Sequence, residues 1–158
     1  MEQSNFYAMM SRMKYINRWG LMNNTKYENL SEHSLQVAML AHCLVLIHNK
    51  RFNGSLNPER AGMLAIYHDS TEIITGDMPT PIKYFNSTIK DAYKDIENAA
   101  ADRLCSLLPE DFRQDMEEII NSAVLFVSNM LGIVLLPFLH VKTDGQGEST
   151  KVSFGMIG

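Results

Sequence analysis

Cysteine and tryptophan are scarce in this chain, and basic side chains are outnumbered. The two cysteines, Cys43 and Cys105, lie far apart and in no C-x-x-C spacing, which excludes a disulfide framework and a cysteine-built metal knuckle. Both are expected to be reduced, mostly buried thiols, as suits a reducing cytosol. Lysine and arginine number 14 against 18 acidic residues, for a net charge of −4. Such a chain offers no basic footprint to a long nucleic acid, so any nucleotide partner is expected to be small. Met1 to Lys14 has no continuous apolar core, being interrupted by Glu2, Arg12 and Lys14, so no signal peptide is expected and the location read is cytoplasmic. Repeats, low-complexity segments and strand-like alternation are also missing. What is present is an ordinary globular composition, 46% hydrophobic and 20% charged over 158 residues, consistent with one folded domain.

Hydrophobic periodicity predicts an all-α fold. Ser4 is placed to cap a helix carrying Phe6, Met9, Met10, Met13 and Ile16, which ends near Arg18 and gives way to a Gly- and Asn-containing loop. Asn29 or Ser31 caps a second helix to about Asn49, with an expected inward stripe of His33, Val37, Leu40, Leu44 and Ile47. Asn57-Pro58-Glu59 opens a third, because proline at the first helical position gives up only a donor that had no partner. This helix is expected to reach about Ile74, with Ala61, Leu64, Ala65, His68 and Glu72 on one face and Asp69 at its edge. Gly76 to Pro81 reads as a rigid loop. Ser87 begins a helix to about Leu107, with Ile89, Ala92, Tyr93, Ile96, Ala100 and Leu104 facing in, and Pro109 opens another to about Ser122.

After that the composition changes. Ala123 to Val141 contains no Asp, Glu, Lys or Arg, a length close to the roughly 20 residues that span a bilayer. Ser128, Asn129, Pro137 and His140 interrupt it, and a Gly-rich stretch from Thr143 to Thr150 follows. A core helix or an aberrant end is expected in preference to a membrane span.

The chemistry resides in the ionisable residues of the apolar faces. His68-Asp69 on a helix presents an imidazole nitrogen and a carboxylate oxygen at neighbouring azimuths, which suits one divalent ion beside the helix. His33, on the buried face of another helix, is the best third ligand, since packed helices ~8–10 Å apart bring facing side chains together. Two histidines and a carboxylate leave open positions for water and phosphate, so that one ion can activate the first and polarise the second. Either His33 or the His-Asp pair alone is as compatible with a hydrogen-bonded core histidine or a chance dipeptide. With Glu72 the balance moves to a site, because unpaired buried charges cost several kcal/mol each.

Asn17-Arg18-Trp19, the run from Glu28 to Ala38, Tyr67-His68-Asp69, Glu72, and the run from Thr75 to Phe85 resemble the YfbR-like 5′-deoxynucleotidases of the HD superfamily, over about Met1 to Asn121. The resemblance implies a helical HD-domain bundle that is homodimeric and cytoplasmic and removes phosphate from deoxyribonucleoside 5′-monophosphates with a divalent metal such as cobalt or manganese. It implies that His33, His68 and Asp69 hold the metal and that Glu72 serves acid/base work. Arg18 would orient the phosphate, Trp19 would crowd a ribose 2′-hydroxyl, and Asp77, Met78, Pro79 and Thr80 would line the substrate pocket together with His33 and Asp69. Without the resemblance Arg18 reads as a helix-end charge, Trp19 as a surface-to-core plug and Asp77 as a turn brace.

One part of the family pattern is missing. HD phosphohydrolases add a second aspartate from a later helix, yet no aspartate lies between Asp115 and Asp144. Asp144, beside Gly145, is a poor substitute because a ligand must be held in place. The expectation is therefore an HD-type domain over residues 1–122 and a divergent, truncated or frame-altered tail over 123–158, leaving the bundle's C-terminal portion incomplete. Two further readings stay open: a catalytically impaired nucleotide-binding module, and an HD phosphodiesterase.

Overall fold

Helix α2 (Leu30–Arg51) owes its start to a reciprocal cap. The Asn29 side chain accepts from the backbone N–H of Glu32 (3.1 Å), and the Glu32 carboxylate accepts from the N–H of Asn29 (3.4 Å). Two orphan donors of the first turn are satisfied in this way. The computed structural model describes residues 4–18 and 26–123. In order these form α1 (Phe6–Met10), a 3-10 turn (Ser11–Tyr15), α2 (Leu30–Arg51), α3 (Pro58–Tyr67), α4 (Glu72–Thr75), α5 (Thr80–Lys83) and α6 (Ser87–Cys105). A further helix, α7, runs from 110 to the last described residue, 123. The fold is all-α, as the periodicity predicts. The tail beyond 123, with its apolar run, lies outside the described residues.

Helices α2 and α3 form the main packed pair. The buried stripe of α2 is Leu30, Ser34, Ala38, Ala41 and Val45, facing Ala61, Leu64 and Ala65 of α3. The expected stripe of large residues is thus displaced by one position, and Leu40 is half exposed. Small side chains at the contact explain the shift, since they let two helix backbones approach closely. A Cβ added to Gly62 would meet the Ala38 carbonyl at 3.6 Å. By length and composition α2 could cross a bilayer; in this fold it pairs with α3. The expectation of buried cysteines holds for Cys105 only, because Cys43 lies on the exposed side of α2.

Helix α3 begins as expected, with Asn57 accepting from the N–H of Arg60 (2.8 Å) and Pro58 in the first turn. It does not continue to Ile74. The His68 ring lies 2.6 Å from the Ala65 carbonyl, where it competes with the backbone for that acceptor. Beyond Tyr67 the chain tightens into i→i+3 bonds, Ser70 to Tyr67 (3.0 Å), Glu72 to Asp69 (3.0 Å) and Ile73 to Ser70 (3.3 Å), before α4 resumes. Gly76 ends α4 with φ +75°, a conformation that glycine adopts without a Cβ penalty. The expected loop covers 76–79, but Thr80 to Lys83 form the single turn α5.

Helix α6, capped by Asn86 through the N–H of Ile89 (2.8 Å), buries Tyr93, Ala100, Ala101, Leu104 and Cys105. Ala92 and Ile96, expected to face in, are exposed. Its C-terminal half packs with Phe6, Leu108 and Ile120, so α1 and α7 close over it. A second cluster of Met13, Leu30 and Ile73 joins the 3-10 turn to α2 and α4. The first helical segment is shorter than expected, ending at Tyr15. Ile16 to Arg18 then turn extended and pair with Glu28 to Leu30: Arg18 N–H donates to Glu28 O (2.9 Å), and Leu30 N–H to Ile16 O (3.0 Å). This clip fixes the flank of the site.

Candidate metal centre

Three elements meet at one point. His33 comes from the second turn of α2, His68 and Asp69 from the tightened turn after α3, and Arg18 from the extended clip. One ligand atom from each of His33, His68 and Asp69 lies within 4.8 Å of the others. Asp69 Oδ2 is 2.9 Å from His68 Nε2 and 3.6 Å from His33 Nε2. Ligands around one ion at ~2.1 Å bonds and right angles would stand about 3.0 Å apart. The two imidazoles are tilted at 52° with centroids 5.3 Å apart, so both edges converge on the same space.

The donor set calls for a cation. His68 Nδ1 faces the Ala65 carbonyl at 2.6 Å. A carbonyl can only accept, so Nδ1 carries the proton, and in the neutral ring Nε2 points a lone pair at a carboxylate oxygen 2.9 Å away. Only a proton or a metal ion makes that contact favourable. Burial opposes ionisation of Asp69, yet the hydrogen bond to His68 and the charges of His68, Arg18 and His33 hold it below the usual carboxylate range. Burial, followed by the Arg18 charge, pulls His33 down to about 4, leaving its imidazole neutral and able to coordinate near neutral pH.

Glu72 is 8% exposed, and its Oε2 is buried without a hydrogen-bond partner. Burial and the carboxylates of Asp69 and Asp77 push it up to about 9, against the opposing charges of Lys83 and Arg18. A divalent ion beside Asp69 would offset this repulsion, so Glu72 also fits a metal at the site.

The chain matches the family described as 5′-deoxynucleotidase YfbR-like over residues 5–131. It belongs to the YfbR-like family. Among curated relatives, it is 55% identical to a 5′-deoxynucleotidase of Vibrio atlanticus (strain LGP32) over 122 residues, covering 77% of this chain and 63% of that protein. It is 57% identical over 115 residues to the 5′-deoxynucleotidase VP0926 of Vibrio parahaemolyticus serotype O3:K6 (strain RIMD 2210633), covering 73% and 59%. To the 5′-deoxynucleotidase Ent638_2835 of Enterobacter sp. (strain 638) it is 54% identical over 121 residues, covering 77% and 61%. The chain therefore spans about three fifths of the length of these YfbR-like proteins.

Of the other site residues read from the sequence, Arg18 meets the cluster directly, donating from Nη1 to Asp69 Oδ2 at 3.0 Å. Asp77 is close enough for its charge to act on both His33 and Glu72. Met78 and Pro79 are half-buried on the loop after α4, and Thr80 is exposed at the start of α5. Trp19 and any downstream fourth ligand lie outside the described residues.

Glu28 was not among the residues assigned a role. Its Oε2 sits 3.5 Å from Arg18 Nε and 3.6 Å from His33 Nδ1. Position within the motif run was the only signal, because nothing in its spacing foretells the clip that carries it back to Arg18. Lys83 of α5 is half-buried, paired with Glu97 (2.6 Å) and seated over the Tyr93 ring (4.7 Å).

Proposed function

We propose that this chain is a divalent-metal phosphomonoesterase that hydrolyses deoxyribonucleoside 5′-monophosphates to deoxyribonucleoside and phosphate. The observation that carries this reading is the convergence of His33, His68 and Asp69 with the Arg18 guanidinium on one side. The names of the relatives supply the substrate class.

A bound cobalt or manganese ion, the metals we favour, would supply Lewis-acid polarisation of the phosphoryl group and acidify a water. His33, His68 and Asp69 hold it. Arg18 turns its fork to the phosphate, where paired charge-assisted hydrogen bonds orient the ester for in-line attack. Glu72, held protonated by burial and by Asp69 and Asp77, gives its proton to the leaving 5′ oxygen; once ionised it can accept one from the attacking water. Trp19, His33, Asp69, Asp77, Met78, Pro79 and Thr80 complete the substrate contacts, with Trp19 crowding a 2′-hydroxyl. We place the protein in the cytoplasm as a homodimer. For the dimer, α2 exposes the apolar side chains Leu35, Met39 and Leu40 and α3 exposes Met63 and Ile66, surface that a second copy could cover.

A second reading rests on a specific observation: the described residues supply three ligands, and the sequence has no aspartate between Asp115 and Asp144. A protein short of one ligand would bind nucleotide with little or no turnover. Phosphate release from deoxyadenosine 5′-monophosphate by metal-stripped protein, with and without cobalt or manganese and beside a His68→Ala control, separates the two. Metal-dependent release absent from the control supports the hydrolase. A folded protein that binds nucleotide and releases none supports the impaired module.

A further inference from the structure

His33 lies between two carboxylates at equal reach. Glu28 Oε2 is 3.6 Å from Nδ1, and Asp69 Oδ2 is 3.6 Å from Nε2. Both separations are just beyond hydrogen-bond length, and a neutral imidazole has one proton for two nitrogens, so a small closing of one gap or the other decides which carboxylate receives it. The choice matters, because a proton on Nε2 would sit in the space where Asp69 and His68 converge, whereas a proton on Nδ1 leaves the Nε2 lone pair facing that space. The same Glu28 oxygen is 3.5 Å from Arg18 Nε, while Arg18 Nη1 holds Asp69 Oδ2 at 3.0 Å. Glu28 is itself placed by backbone: its carbonyl accepts from Arg18 N–H, and the next residue, Asn29, caps α2 four residues before His33.

We infer that Glu28 is a positioning residue of the metal centre, holding the His33 ring in the Nδ1–H tautomer with Nε2 free for the ion and steadying the Arg18 guanidinium with the same carboxylate. This inference rests on the metal-centre reading above and names a residue through which a ligand and the phosphate-binding arginine are set together. A carboxylate behind a ligating histidine fixes ring orientation and raises the basicity of the coordinating nitrogen. Here it also competes with Asp69 for the proton. Removing it lets Nε2–H donate to Asp69, which blocks one ligand and ties up another.

The test uses the full chain in Glu28→Ala and Glu28→Gln forms, with Glu32→Ala as a control that weakens the α2 cap without touching His33. Long-range nitrogen–proton spectra of the metal-free proteins read the His33 tautomer, and titration with cobalt(II) reads affinity. The wild type is expected to show Nδ1–H. Glu28→Ala is expected to shift the ring toward Nε2–H and to weaken cobalt binding by about 10- to 100-fold. Glu28→Gln, which keeps an accepting oxygen and the side-chain shape but not the charge, should fall between them and serves if the alanine form does not fold. Glu32→Ala should melt earlier with tautomer and affinity unchanged. Folded Glu28 variants with wild-type tautomer and cobalt affinity would overturn the inference while leaving the metal centre standing. A wild type that binds no cobalt would overturn both.

Discussion

Arg18 Nη1 lies 3.0 Å from Asp69 Oδ2, across 51 residues of sequence, and so rests on the same carboxylate oxygen that both imidazoles approach. Against burial, the hydrogen bond and charge of His68 and then the guanidinium favour the ionised form of Asp69, yet the positive charge of Arg18 also opposes a second cation a few ångströms away. An arginine assigned to phosphate is therefore expected to lower metal affinity in the absence of substrate. In Arg18→Ala, manganese should bind more tightly, on the order of tenfold (about 1.4 kcal/mol), while inorganic phosphate binding to the loaded protein weakens. Calorimetric titration with each in turn checks this. Weaker manganese binding in the variant would mean that Arg18 acts chiefly by keeping Asp69 in place.

Glu72 is expected to reduce the stability of the metal-free fold. Its folded pKa, about 9, is above the ordinary 4.5, so the unfolded chain releases a proton that the folded chain keeps. No penalty exists below pH 4.5; it grows as pH rises through the window from 4.5 to 9. Glu72→Gln should accordingly stabilise the metal-free protein at neutral pH by on the order of 2 kcal/mol. The gain should vanish as pH falls toward 4.5 and shrink when manganese is added. Denaturant melts at pH 4.5 and 7 supply the comparison, and a gain of equal size at both would refute the burial account.

Removing the Asn29 cap should cost about 1 kcal/mol and lower the melting temperature by a few degrees. Asn29 also bridges to Asn17 in the clip that carries Arg18, but through backbone pairing that alanine keeps. Asn29→Ala and Asn86→Ala, at the equivalent cap of α6, are therefore both expected to lose stability with manganese affinity unchanged. Melts and metal titrations of the two variants side by side check this, and weaker manganese binding in Asn29→Ala alone would show that the side chain also holds the clip.

The two thiols should differ in reactivity. Cys43 is exposed, while Cys105 is 2% exposed and burial pushes its thiol up to about 11. Iodoacetamide at pH 8 should modify Cys43 in the native protein and Cys105 only after unfolding, as read by peptide mass. Equal labelling in the native state would contradict the packing of Cys105 against Phe6 and Leu108.

Much of this protein is legible in its sequence. The helix starts at Asn29 and Asn57-Pro58 follow from local chemistry, in which a side-chain oxygen reaches an orphan N–H two or three residues ahead. His33, His68 and Asp69 stood out as ionisable residues on or beside apolar faces, where only a partner or an ion makes burial tolerable. Local pattern misjudged what depends on a neighbour. The largest side chains of α2 suggest one stripe, but α3 selects the smallest, because close packing rewards Ser34, Ala38 and Ala41. Periodicity carries α3 on to Ile74, but the His68 ring claims the Ala65 carbonyl and the chain turns there.

The amino-acid sequence by itself determined the helical class, the caps and which three side chains are proposed to hold a metal, all of which follow from residue type at short spacing. Only the tertiary structure decided that Arg18 would lie on Asp69 and that Glu28 would stand behind His33. Those contacts arise from the pairing of residues 16–18 with 28–30 and from the meeting of α2 with the turn after α3. Their energies depend on distance in space and on burial, quantities that sequence separation does not encode.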